Sequence, residues 1–523
     1  MALTINTNIS SIRTNRAIES TQKQLSRSVE RISSGVKLNS AKDDPAGLAT
    51  ADRMSVQIRG ISMAIRNAND GISLAQTAEG ALQEVTSMLQ RVQELAVQAS
   101  NPSNSVSTRS SLQAEVIQLN AEITRIAEET EFNGQKILAG NVINANFQVG
   151  ARPEQTINLS IPEVSASNLG NFFTTTDNSE GNSIGGANLG SFTGDAPANL
   201  VELQTVTIRG FNTGLVAPQI DINQEESAKS IALKINDVEG LTGVAASAKT
   251  TVTMEDTYDG GAAGKQNISF RLYGTNAKVP GDASNAAFVA ASVTEVSEAG
   301  FRELVSAING QKSTTGITAS YKGDGKIALA HDDGANISIE GFSNASDSDP
   351  SGQNEMSVTG AQGTNKVILR EGVNDSVTVG GIITLNSPKP FSVTSSITAF
   401  DGSLFSNASP DEPQASQFNA LSKVDVSTVA GAAKAIDIAA NALEQVTGFR
   451  GELGAIQNRF ETTISTLQSV QENTQTARSR LMDTDFAEEV SRFTRAQILQ
   501  QAGIAILAQA NAAPFAVLEL LRS

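Results

Sequence analysis

The chain has 523 residues with no Cys, no Trp, three Tyr and one His, and carries 38 Lys/Arg against 55 Asp/Glu, a formal net charge of −17. That length allows several domains. The lack of Cys excludes a disulfide framework, thiolate metal sites and cysteine nucleophiles, and the acidic balance opposes binding to nucleic acid or to anionic membranes.

The opening MALTINTNISSIRTNRAIES has no apolar core of the kind a secretory leader needs. A first helix is predicted from about Leu3 to Ile32. Ile18, Leu25 and Ile32 recur every seven residues, with Val29 and Val36 in the alternate positions, which is coiled-coil spacing. Ser33, Ser34 and Gly35 stop it. Asp44 then reads as an N-cap and Pro45 as a first helical residue, opening a long helix to about Ser100. Asn101-Pro102-Ser103 ends that helix. Another is expected over roughly Thr108 to Glu129, with Leu112, Val116, Leu119, Ile123 and Ile126 on its apolar face. Asn133-Gly134 is a turn signal, and the alternation in 147–149 and 157–161 predicts a β-hairpin.

Composition then changes. The middle is rich in Gly, Ser, Thr, Asn and Val, which favour strands and turns. Residues 181–410 hold 14 Lys/Arg against 24 Asp/Glu, as a solvated surface does. An internal duplication lies there: SIALKINDVEGLTGVAASAK (230–249) aligns without a gap on ELVSAINGQKSTTGITASYK (303–322), with identities at Asn236/Asn309, Thr242/Thr315 and Gly243/Gly316 among others. Each copy reads as a short helix, a turn and a strand.

Residues 414–513 contain no Pro. Leu453, Ile456, Phe460, Ile464 and Leu467 stripe a long helix. The closing segment carries Phe486, Val490, Phe493, Gln497, Gln500, Ile504 and Leu507 in alternating steps of four and three. The two Gln weaken a purely apolar zipper but are able to hydrogen-bond across it. Gln, Asn, Gly503 and Pro514 break the final apolar run, so no membrane span is expected.

The fold expected is multidomain. Both termini form an all-α coiled-coil and helical-bundle rod with a β-hairpin, and a central α+β, β-rich outer insertion holds two repeated modules. The boundaries expected are 1–40 with 483–523 for the terminal coiled coil and 41–180 with 411–482 for the inner bundle. The outer region is expected over 181–410, with modules at about 200–300 and 301–400.

Enzymatic chemistry fails on inventory. His331 is the sole His, and HDD at 331–333 reads as a turn rather than a metal site. GGAAGKQ at 260–266 lacks the glycine and hydroxyl a phosphate loop requires. DTD at 483–485 reads as a helix cap. No catalytic, cofactor or metal site is expected.

The two ends resemble bacterial flagellins. The resemblance is carried by TNISSIRTNRAIESTQKQLSRSVERISSGVKLNSAKDDPAGLA, RNANDGISLAQTAEGALQEV, LQRVQELAVQASN and ITRIAEETEFNGQKIL near the N-terminus, and by residues 435–514 near the C-terminus. It covers roughly 1–165 and 420–523. The repeated module resembles an insert of the flagellin variable region. The resemblance implies an extracellular filament subunit of the bacterial flagellum, exported without a cleaved signal peptide and served by export-chaperone, cap and hook-junction proteins. Its partner is itself, in a head-to-tail helical polymer. Terminal helices left wet in a lone subunit would gain by assembly, since burying about 1,000 Å² contributes on the order of 25 kcal/mol before ordering costs. The packing residues implied are Leu25, Val29, Ile32, Phe486, Val490, Phe493, Ile504, Leu507 and Leu518. LQRVQELAVQ and LQAE further resemble the patch that Toll-like receptor 5 recognises, which places receptor contacts at Arg91, Leu95 and Glu115. Two alternatives remain: a hook–filament junction protein, and an adhesin or glycan-binding module in 181–410.

Overall fold

The computed structural model describes residues 7–178, 185–189, 196–211, 217–256, 266–276, 284–293, 297–346, 355–362 and 366–522; along the last helix side chains are described through residue 512. The Gly-rich 260–265 and the side chain of Leu518 lie outside the described residues.

Helix α1 (Ile9–Ser34) starts at Asn8, whose side chain accepts the Ser11 N–H, and ends at Gly35 in the left-handed region. The start expected at Leu3 lies outside the described residues; the helix described begins after Asn8. Helix α2 (Pro45–Ser100) is capped as its sequence requires: Asp44 Oδ1 accepts from the Ala46 and Gly47 N–H groups, and Pro45 needs no donor partner. Ser105 caps α3 (Val106–Glu129). Asn133 and Gly134 both take positive φ and turn a tight hairpin between Glu131–Phe132 and Gln135–Lys136. Strands Val142–Gln148 and Thr156–Ile161 form the second hairpin.

Helix α8 (Val429–Met482) runs antiparallel to α2, with Arg450 on Glu79, Gln471 on Ser62 and Arg478 on Ser55. Leu74, Leu82, Leu89 and Leu95 of α2, Val116 and Ile123 of α3, and Ile438, Val446 and Leu453 of α8 share one core. The chain returning from the outer region is pinned to α3. Gln113 donates to the Val424 carbonyl at 3.0 Å and accepts from the Val426 N–H at 2.6 Å, while Asn120 donates to the Leu421 carbonyl. Asp485 then caps α9 (Phe486–Arg522), as expected of the DTD segment; α9 runs through Pro514.

The outer region is strand-rich and antiparallel. One sheet orders Ile317–Gly323, Lys326–His331, Ala245–Asp256, Ile382–Ser387, Gly170–Thr175 and Gln417–Ala420; others contain five and four strands. The duplicated segments fold alike. The hairpin Gln204–Arg209/Gln219–Ile222, then α4 (Ala228–Asn236), α5 (Glu239–Thr242) and the strand from Ala245, form one unit. The hairpin Gln266–Tyr273/Ala287–Val293, then α6 (Glu298–Gly310), α7 (Lys312–Thr315) and the strand from Ile317, form the other.

Three expected boundaries cut through elements of the fold. A module break at 300/301 would cut α6, whose Phe301 and Leu304 pack into one core with Ile268 and Phe270 of the preceding hairpin. Breaks at 180/181 and 410/411 would split a sheet, because Gly170–Thr175 pairs with both Ile382–Ser387 and Gln417–Ala420. Hydrophobic composition changes gradually there, whereas strand pairing does not.

Candidate assembly interface

Helices α1 and α9 pair antiparallel. Asn8 Nδ2 donates to the Ala510 carbonyl at 2.8 Å, Gln22 meets Gln500, and Ser28 Oγ donates to Glu489 Oε1 at 2.5 Å. The Gln22–Gln500 contact is the cross-seam Gln bond that the polar heptad positions invited.

The seam itself departs from expectation. Its α1 side is Ser11, Thr14, Ile18, Thr21, Leu25, Ser28 and Ile32, and its α9 side Glu489, Phe493, Ala496, Gln500, Gly503, Leu507 and Ala510. Leu25, Ile32, Phe493 and Leu507 thus lie in the intramolecular seam. Val29, Phe486, Val490 and Ile504 instead point to solvent, and Gln497 is exposed too. The reason is size. A Cβ added at Gly503 would come 2.9 Å from Ile18 Cγ1, so the helices approach closely over small residues. Phe486, Val490 and Ile504, which fall to one side of that line of close approach, are left on the outside.

That outer surface is extensive. Phe486, Val490, Ile498, Leu499, Ile504 and Ile506 of α9 and Ile9, Ile12 and Val29 of α1 are all exposed, Ile498 to 60%. On α9 they lie on both flanks of the seam, Phe486, Val490 and Ile504 on one and Leu499 and Ile506 on the other, and so many large apolar side chains left in water mark interaction surface. No helix among the described residues is long and apolar enough to cross a membrane.

The second predicted site lies on α2 and α3. Arg91 reaches Glu115 across the two helices at 2.8 Å and Glu94 along its own at 3.1 Å. Bonding to Glu115 and then Glu94 raises the Arg91 pKa above its already high ordinary value. Leu95 does not join this surface. It is fully buried in the bundle core, because at i+4 it falls one step round the helix from Arg91 towards α8 and α3. The expected apolar neighbour of Arg91 is therefore corrected to a pair of carboxylates.

His331 ends a strand in the outer region. It is buried, its Nε2 is 2.7 Å from Thr275 Oγ1, and its Nδ1 accepts the Asp333 N–H, which makes it the neutral Nε2–H tautomer. Burial lowers its pKa, outweighing nearby Asp333. Gly334 N–H returns to the His331 carbonyl, so HDD is a turn, with Asp332 on Lys249 and Asp333 on Lys229. The Lys249 hydrogen bond lowers the Asp332 pKa. Among the described residues no three His, Asp or Glu side chains converge as metal ligands.

Comparison with known proteins agrees with this anatomy. The pattern of the bacterial flagellin N-terminal helical region matches residues 5–142, that of the C-terminal helical region residues 436–521, and the flagellin hook IN motif residues 273–333. The last covers the second of the two duplicated units. The chain is 38% identical to B-type flagellin of Pseudomonas aeruginosa, 35% to flagellin of Salmonella typhimurium and 33% to flagellin B of Vibrio cholerae, in each case over 100% of both chains. Paired terminal helices, an antiparallel bundle and a strand-rich excursion thus coincide with full-length similarity, and the chain belongs to the bacterial flagellins, structural proteins of the flagellar filament and not enzymes.

Proposed function

We propose that this flagellin polymerises head-to-tail through the outer faces of α1 and α9, with these terminal helices packed against those of neighbouring copies in the interior of the filament. One observation carries this reading: the intramolecular seam takes up only part of the apolar side chains of α1 and α9, while Phe486, Val490, Ile498, Leu499, Ile504 and Ile506 stay in water. A heterologous contact that does not close on itself yields a helix rather than a ring. The reading includes service by export-chaperone, cap and hook-junction proteins. Removing some forty residues from each end tests it. The trimmed chain should stay monomeric when seeded with filament fragments, and long stable fibres from it would refute the reading.

The exposed Arg91–Glu115 surface is further proposed as a contact for Toll-like receptor 5, supported by its motif and by the side chains it offers to solvent. Leu95 acts there only by supporting α2 from within. Arg91→Ala should weaken receptor binding at least about tenfold, the usual scale for a charged anchor, with filament growth as the control for folding. Unchanged receptor binding would remove this contact.

A further inference from the structure

The α1–α9 seam has a repeat problem. On α1, Ile18, Leu25 and Ile32 are alike and seven residues apart, and so are Thr14, Thr21 and Ser28. On α9, Ala496, Gly503 and Ala510 are small and also seven apart. Sliding one helix past the other by a heptad would exchange similar residues for similar residues. Shape alone therefore selects the register only weakly.

Backbone bonds from Lys37 N–H to the Met482 carbonyl and from Thr484 N–H to the Gly35 carbonyl tether the two helices at one end; within the seam itself Glu489 breaks the degeneracy. It occupies the same heptad line as Ala496, Gly503 and Ala510, yet it is a carboxylate only 5% exposed. Its Oε1 accepts from Ser28 Oγ, itself buried, and its Oε2 lies 3.7 Å from Arg31 Nη1. A slip of one heptad in one direction would set Glu489 beside Thr21 and Gln24, which offers a hydroxyl but no cation. A slip in the other direction would set it at Gly35, just beyond the end of α1. A buried carboxylate that loses its partners is costly, whereas Ala or Gly at the same heptad position loses nothing.

We propose that Glu489 is the register-setting residue of the terminal coiled coil, with Ser28 and Arg31 as its positioning partners. The pairing it fixes determines which apolar side chains α1 and α9 turn outward together. The proposal rests on the assembly reading above, because register is read in assembled filaments.

The chain has no Cys, so engineered pairs report register directly. The full chain bearing Ile18→Cys and Gly503→Cys should cross-link within one subunit on mild oxidation. The heptad-slipped pairs, Ile18→Cys with Ala496→Cys or with Ala510→Cys, should give little intramolecular product. Adding Glu489→Leu should raise the slipped product by about tenfold or more, the scale of losing a charge-assisted hydrogen bond. Glu489→Gln keeps an acceptor for Ser28 and should fall between. Arg31→Gln provides an independent variant, on a side chain 21% exposed, should Glu489→Leu not assemble. The parent's ability to form filaments tests the assembly reading, and the ratio of products among assembled variants tests this one. If Glu489→Leu and Arg31→Gln filaments both cross-link only between positions 18 and 503, Glu489 does not set the register.

Discussion

Gly71 of α2 faces the ring of Phe460 of α8 so closely that a Cβ on Gly71 would stand 2.7 Å from Phe460 Cζ. Phe460 is fully buried and meets Phe147 of the hairpin edge-on, with ring centroids 5.6 Å apart. The ring has no free space to retreat into. Gly71→Ala would gain about 1 kcal/mol of helix propensity. Overpacking a filled site costs roughly 1–3 kcal/mol. The net effect expected is a loss of stability, read as a lower urea midpoint for the monomer by far-ultraviolet circular dichroism. Phe460→Ala should cost more, about 3–5 kcal/mol. A raised midpoint for Gly71→Ala would show that α2 and α8 separate without penalty.

His331 should make the outer region acid-sensitive above the carboxylate range. Its folded pKa is held below the ordinary 6.5 by burial. As pH falls through 6.5 the unfolded chain takes up a proton that the folded chain refuses. The stability is therefore complete above that pH and is lost progressively as pH drops towards the folded value. Protonation would also remove the Nδ1 acceptor of the Asp333 N–H. His331→Asn keeps an acceptor and does not titrate. Thermal melts at about pH 8 and about pH 5.5 should differ less for His331→Asn than for the parent; equal differences would exclude His331 as the source.

The duplicated units show which parts of the outer region were legible in the sequence. Identities survive at Asn236 and Asn309, where each side chain bridges both backbone groups of a residue ten positions later: Ala246 in one copy, Ala319 in the other. They survive at Thr242 and Thr315, whose hydroxyls accept the N–H two residues on, and at Gly243 and Gly316, which take positive φ. An alignment finds these because the helix–turn–strand spacing is the same in both copies. It misses the hairpins that precede them, because their loops differ in length. Yet Gly210 and Gly274 do the same work, each lying so close to the carbonyl of Thr242 or Thr315 that a Cβ would collide with it. Asn309→Ala should cost about 1–3 kcal/mol through its two lost bonds. Amide exchange within 317–331 measures it, and unchanged protection would assign the turn to Gly316 alone.

Capping signals placed two helix starts well, since Asp44-Pro45 and Asp485 cap where expected, whereas α3 starts two residues before the Thr108 expected, after a cap at Ser105. The seam of α1 and α9 was harder to read. Periodicity weighted by side-chain size selects Phe486, Val490 and Ile504, yet close approach at Gly503 selects Ala496, Gly503 and Ala510. A lone sequence does not say which of two apolar faces is turned to its own chain and which to another copy. Nor does strand composition say that Gly170–Thr175 joins the outer sheet and not the bundle.

Ile504 and Ile506, on opposite flanks of the α9 seam, decide between apolar side chains left exposed by chance and ones kept for assembly. Both are exposed on α9, beside a seam they do not enter, so neither supports the fold of the lone chain. Burying each against a neighbour is worth roughly 1.5–3 kcal/mol, and each 1.4 kcal/mol is tenfold in an equilibrium constant. Ile504→Asp should therefore raise the critical concentration for seeded growth by at least about tenfold, more once the cost of burying the carboxylate is included. Urea unfolding of the monomer should not change, because the substituted side chain was already in water. Leu507→Asp, placed in the half-buried seam, should damage both measurements. Normal filament growth by Ile504→Asp together with Ile506→Asp would mean that both flanks of the seam stay wet in the polymer.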